Sequence, residues 1–186
     1  MVVLMDRGSQ ITAEYARSVL RYQPDTGKLF WRDRGADCAN WNSRWAGKEA
    51  FTPVGGPGYK QGSLAGAKFY AHRVIVLMMT GDWPEACVDH INGDKLDNRW
   101  SNLRAASRTD NNRNRVGRAD RSGPHKGVRV SRSGAFQARI VVDKQEIALG
   151  TFGCPTAAAL AYDRAAKVHF GQFASFNVGG IDARPL

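Results

Sequence analysis

The segment 88–112 gathers a carboxylate (Asp89), an imidazole (His90), the side-chain amides of Asn92, Asn98, Asn102, Asn111 and Asn112, and the arginines Arg99, Arg104 and Arg108. Metal-assisted hydrolysis of a phosphodiester asks for this combination. It needs oxygen ligands for a hard divalent cation, a base that titrates near neutral pH to activate water, and positive charge to meet phosphate. Asn102 lies thirteen residues after Asp89 and Asn111 twenty-two after it, so the intervening chain must fold back to bring these groups together.

The flanking residues say how it folds back. Val88 and Ile91 suggest a short strand carrying Asp89 and His90. Ser107-Arg108-Thr109-Asp110 matches the looser capping box, with Ser107 as N-cap and Asp110 at N3. A helix should therefore begin there, with Asn111 on its first turn. A strand, a loop, a second strand and this short helix can bring Asp89 and Asn111 to one cation. Neighbouring residues of a regular strand point to opposite faces, so convergence of Asp89 and His90 requires the strand to end, twist or bulge there. Asn92-Gly93 reads as a turn. Asp94, Asp97 and Asn98 read as loop-shaping residues or as additional metal ligands. His72 and Arg73 read as phosphate contacts, or His72 as a satisfied, partly buried histidine.

Upstream, Tyr15, Ala16, Val19 and Leu20 recur at helical spacing, predicting a helix over 12–22. Residues 24–27 read as a turn and 28–32 as a short strand, followed by an irregular Trp- and Gly-rich stretch over 34–58. A hairpin is expected from 59–64 and 68–71, then a buried helix ending at Gly81. Downstream, the polar, basic stretch 113–124 reads as a linker between two modules. Beyond it, 128–131, 136–142 and 145–151 predict a three-stranded antiparallel meander, and 155–170 an alanine-rich helix stopped by Gly171. Phe136, Ala138, Ile140 and Val142 fall on the face suited to pack under that helix. Gln137, Arg139 and Val141 fall on the other.

Composition narrows the function class. A net charge of +10 and a pI near 10.0 point to a polyanionic partner. The excess is concentrated in 99–132, where ten Arg and Lys residues face only Asp110 and Asp120. Three cysteines, far apart and odd in number, argue against a disulfide framework, and the lack of a C-x-x-C pair argues against structural zinc. The longest apolar run, 74–79, is far too short to span a bilayer, and the N-terminus does not read as a signal peptide. A soluble, cytoplasmic protein with no membrane partner is expected.

The segment that starts with Asp89-His90, with Asn102 in the middle and Asn111 at the end, resembles HNH endonucleases of the phage and intron-encoded homing type. The wider stretch from about 12 to 115 resembles such phage proteins too, including Tyr70-Ala71-His72-Arg73 and Gly81-Asp82-Trp83-Pro84. The resemblance implies a ββα-metal fold in which Asp89 and Asn111 hold one divalent cation, magnesium or a substitute such as manganese. It implies His90 as general base. Asn102 has neither role and reads as the residue that pins the long loop and orients His90. Asparagine at the third position is a known family variant.

Gly127-Val128-Arg129, the 134–140 stretch, Leu149-Gly150-Thr151-Phe152 and the 157–166 helix resemble the Apetala-two or ethylene-response-factor DNA-binding domain, whose sheet enters the major groove. Ser131, Ser133 and Arg139 depart from the plant pattern, so base specificity does not transfer. The expected organisation is α+β: an N-terminal HNH nuclease domain over 1–115, a basic linker over 116–122, a DNA-binding domain over 123–178 built of a three-stranded antiparallel sheet with one packed helix, and a tail over 179–186. Arg104, Arg108, Arg113, Arg115, Arg129, Arg132, Gln137 and Arg139 are the expected DNA contacts, on double-stranded DNA bound by a monomer or a DNA-assembled dimer. The linker arginines Arg113, Arg115, Arg118 and Arg121 should track phosphates. The rival expectations are a DNA-binding regulator without nuclease activity and a binder of structured RNA. Arginine and glutamine facing outward from a sheet suit a DNA major groove better than the deep, narrow groove of RNA.

Overall fold

A computed structural model describes residues 11–114 and 125–178. The expected linker at 116–122, the tail at 179–186 and Arg115, Arg118 and Arg121 lie outside the described residues. The described chain mixes five α-helices with four small antiparallel sheets. It divides into two compact units, residues 1–107 and 108–186. The division falls directly after Ser107, ahead of the expected linker, so the helix that follows Ser107 belongs to the second unit.

In the first unit, Thr12 caps α1 (Ala13–Val19) by accepting a hydrogen bond from the Tyr15 amide. The helix is shorter than its apolar spacing predicts. Residues Leu20–Gln23 form β1, paired in register with β2 (Lys28–Trp31) across the turn at 24–27. Burial of Val19 and Leu20 fits a helix and a strand start equally well, which is why periodicity alone ran on to Tyr22. The stretch read as irregular contains α2 (Ala39–Trp45), which buries no residue and so leaves no apolar period to read. It is followed by β3 (Glu49–Ala50), which extends the first sheet to the order β1-β2-β3.

The expected hairpin forms as β4 (Gln61–Leu64) and β5 (Ala67–Tyr70), and the buried helix as α3 (Ala71–Thr80), ended by Gly81 at φ 98° in the left-handed region. Leu20, Leu29, Leu64, Val74, Ile75 and Leu77 make the centre of the core. Val88 of β6 (Cys87–His90) and Leu103 of β7 (Leu103–Ala106) reach into the same core and anchor the hairpin that carries Asp89 and His90. Among the described residues no helix is long and apolar enough to cross a membrane.

The second unit opens with α4 (Arg108–Asn114), beginning where the capping box placed it. Then come β8 (Val128–Val130), β9 (Phe136–Val142), β10 (Gln145–Phe152) and α5 (Pro155–Phe170), with the sheet ordered β10-β9-β8. Asp143 and Lys144 both take positive φ, as a two-residue hairpin turn with right-handed strand twist requires. Ala138 and Ile140 are buried under Ala158, Ala159, Tyr162 and Ala166 of α5, as alternation predicted. Buried Asp163 accepts from the backbone amides of Asn177 and Val178, while the Asn177 side chain bonds both the amide and carbonyl of Lys126. This clamp ties the two ends of the module together.

Candidate active site

β6 and β7 form an unbroken antiparallel ladder in which Asp89 faces Arg104 and His90 faces Leu103. No bulge interrupts it; the strand simply ends at His90, and the Gly93 amide closes a turn on the His90 carbonyl. Of the three irregularities expected there, termination is the one found, and it leaves Asp89 and His90 on opposite faces of the strand. Both side chains are buried, at 3% and 4% exposure. Their partners differ, as strand alternation demands. Across the ladder, Arg104 Nε and Nη2 both donate to Asp89 Oδ2, at 2.8 and 2.6 Å. Arg104, expected to touch DNA, is thus engaged in a largely buried ion pair with the candidate metal ligand.

His90 turns the other way, into a pocket of rings and one amide. Its ring stacks on Tyr59, with centroids 5.8 Å apart and 29° between planes, and meets His72 edge-on at 5.3 Å. Nε2 lies 3.1 Å from Asn98 Oδ1. An amide oxygen only accepts, so this bond forms in the tautomer whose Nε2 carries the proton and whose lone pair is on Nδ1. Burial lowers the His90 pKa below the ordinary histidine value; the Asn98 bond and the charges of Asp89, Asp94 and Asp97 pull upward without overcoming it. The imidazole is therefore neutral at neutral pH, the form a general base needs.

The loop between the strands explains both asparagines. Asn102 Oδ1 accepts from the Asn92 amide, and its Nδ2 donates to Asn92 Oδ1 and to the Asp97 carbonyl. Asn102 pins the loop, as expected, but the side chain that meets His90 is Asn98, 1% exposed, which read from sequence as a loop former or ligand. Nothing in the sequence singles it out: Asn92, Asp94 and Asp97 bond to Asp94, Leu96 and Arg99, and Asn98 likewise reaches the nearby Leu96 carbonyl. That Arg99 pairing, with the Asn92 amide, holds the Asp97 carboxyl down at about 2. Tyr59 gave no sequence signal at all.

His72 is buried at 6% exposure, yet its Nδ1 has no hydrogen-bond partner among the described residues. It packs against Tyr59 and Tyr70 as well as His90. Burial, then the neighbouring His90 and Arg73 charges, lower its pKa to about 3. Of the two readings offered for it, the phosphate contact is disfavoured by burial and the satisfied histidine by Nδ1. Arg73 donates to the Pro84 and Ala86 carbonyls, a structural role.

Asn111 and Arg108 lie on α4 in the second unit, Asn111 partly exposed and Arg108 exposed. Arg113 is bonded to Asp110 and Asp143 and lies over the Phe170 ring. On the sheet, Arg129 and Gln137 are direct cross-strand neighbours, both exposed, and Arg132 is exposed at the following turn. Arg139 pairs with Glu146 at 2.7 Å.

Residues 69–113 match the family model of HNH endonucleases. The match runs from β5 through α3 and the site hairpin into α4, and so contains His72, Asp89, His90, Asn98, Asn102 and Asn111. It supports a nuclease. The HNH segment sits in the middle of the chain, so the N-terminal placement of a nuclease domain from residue 1 has no support in the match. No curated protein and no solved structure matches the chain.

HNH nucleases generally use a divalent metal, and Asp89 of this segment is a hard oxygen donor of the kind such an ion takes, engaged here by Arg104. Among the described residues no group of three or more His, Cys, Asp or Glu gathers. A carboxylate and an amide oxygen are the hard donors that magnesium accepts in small number, with waters and substrate phosphate completing the shell.

Proposed function

We propose that the chain is a metal-dependent DNA endonuclease of the HNH homing type, in which the C-terminal module selects the site. The observation that carries this reading is a buried, neutral His90 with its tautomer set by Asn98, adjacent to Asp89, inside the HNH segment. By the resemblance to HNH nucleases, Asp89 and Asn111 are the residues that would hold magnesium or manganese, which when bound offsets charge building on the phosphate and the leaving oxygen. His90 Nδ1 accepts a proton from water as the water oxygen attacks phosphorus and the P–O bond to the leaving sugar oxygen breaks. Asn98 holds the imidazole in the needed tautomer, and Tyr59 holds its plane.

The reading of the second unit as an Apetala-two-like module rests on its sequence resemblance, and what supports its use on DNA is the exposed cross-strand pair Arg129 and Gln137, with Arg132 exposed at the following turn. Arginine can read guanine bidentately and glutamine adenine, while phosphate contacts set register. A tethered reader raises the local concentration of a metal site that discriminates poorly by itself.

The test is incubation of supercoiled plasmid with the protein in magnesium or in chelator. Wild type is expected to give nicked or linear DNA only with metal, and His90→Ala to give none while still shifting DNA in a gel. A wild type that cuts nothing with magnesium or manganese refutes the nuclease reading. It would favour a second one, a DNA-binding regulator, for which the observation is that Arg104 already engages Asp89 Oδ2.

A further inference from the structure

The Trp-rich stretch around α2 lies outside the HNH segment and has no part in the site. It is nonetheless highly ordered by polar contacts. Asn42 of α2 donates to Asp33 Oδ1 and the Gly35 carbonyl and accepts from the Arg34 amide. α2 buries no residue of its own, and its Trp41 meets the edge of the core through Trp31. What the helix does is present a surface.

On that surface arginines lie on indoles. The Arg34 guanidinium carbon sits 3.7 Å above Trp41 and 5.6 Å from Trp31, and those two rings brace each other edge-on at 5.6 Å. Arg44 lies 5.5 Å from the ring of Trp45, itself 41% exposed. The nearest carboxylate in sequence to Arg34, Asp33, is occupied by Gly35 and Asn42. Among the described residues neither Arg34 nor Arg44 forms an ion pair. Arg32 and Lys48, also exposed, add to the positive charge.

Stacking on an indole orders a guanidinium without neutralising it and leaves its in-plane N–H edge for an acceptor. A phosphate, with two oxygens that match that edge, is the complementary group. We propose that Arg34 and Arg44, held on Trp41 and Trp45, form a contact site for the phosphodiester backbone of duplex DNA. The inference rests on DNA as the partner proposed above, and it gives the residues before the HNH segment a direct share in binding.

The test measures binding of a labelled duplex by fluorescence anisotropy in chelator, across a salt titration, with no cleavage in play. For Arg34→Gln with Arg44→Gln, loss of two phosphate contacts should make the slope of log affinity against log salt shallower by about 2 and lower affinity by roughly tenfold or more near 0.1 M salt. Trp41→Leu keeps every charge and should also weaken binding, because Arg34 loses its platform. Thermal unfolding checks that each variant is folded. Wild-type slope and affinity in the folded double variant overturn the proposal, as does a wild type that does not bind the duplex. A wild type that binds in chelator yet leaves DNA uncut with metal sinks the nuclease reading alone, and the slope still decides this one.

Discussion

Replacing Asn98 by alanine removes the amide oxygen 3.1 Å from His90 Nε2, and the expected damage can be worked out from the site. Asn98 is 1% exposed and His90 4%. Truncation leaves a buried N–H donor without its acceptor, which costs about 1–3 kcal/mol, and the cavity adds about 1 kcal/mol. A stability loss of about 2–4 kcal/mol follows, read as a lower urea midpoint at unchanged m. The catalytic loss comes from a different term. The 3.1 Å bond favours the tautomer with its lone pair on Nδ1 by the net worth of one hydrogen bond, about 1–1.5 kcal/mol, which populates it to about nine-tenths against about one half without the bond. Single-turnover nicking at saturating DNA and magnesium should therefore slow by about twofold, with apparent DNA affinity unchanged. If folded Asn98→Ala cuts at the wild-type rate, Asn98 only shapes the loop and the tautomer argument is wrong.

Other outcomes follow from the same pocket. His72 has a folded pKa of about 3 against an ordinary 6.5, so between those values the unfolded chain binds a proton that the folded one refuses. Stability is then full above pH 6.5 and falls on acidification by up to about 1.4 kcal/mol per pH unit until about pH 3. His72→Phe keeps the ring and removes the unpartnered Nδ1; denaturant titrations at several pH values should show it more stable and less acid-sensitive, and an unchanged acid slope would refute the assignment. Gly27 sits at φ 71° where a Cβ would lie 2.5 Å from the backbone of Asn98 and Arg99. Gly27→Ala should therefore lose both stability and cleavage rate, whereas Gly66→Ala, at φ 83° with open space, should show strain of roughly 1–3 kcal/mol and intact cleavage. Equal cleavage in both variants would refute the buttress.

The strands and helix of the second unit were legible because every local signal agreed: alternation in β9, turn residues at 143–144, and Pro155 and Gly171 bracketing α5. The hairpin of Asp89 and His90 was legible for its composition. What could not be read were contacts set by tertiary structure. Asn98 and Asn102 are chemically equivalent, and only the fold decides that one faces the imidazole and the other the loop. Arg104 looked like one more cation in a basic run, but register places it across from Asp89. α2 escaped notice because hydrophobic period is a signal of burial, and this helix is not buried.

The residues before the HNH segment acquire a reason from the same geometry. A strand, loop, strand and short helix have too little apolar surface to hold a catalytic loop rigidly by themselves. Here the loop is held from outside. The Tyr22 hydroxyl donates to the Asn98 carbonyl, the Trp100 amide to the Pro24 carbonyl, and Gly27 packs on the Asn98–Arg99 backbone. From the other side, Lys95 donates to the Pro57 carbonyl and lies over Tyr59, which in turn stacks on His90. Two separate pieces of the first unit thus converge on Asn98 and Tyr59, the two groups that orient the imidazole. The HNH segment carries Asp89 and His90, and the first unit's hairpin and loops supply the stiffness that holds the His90 ring in place.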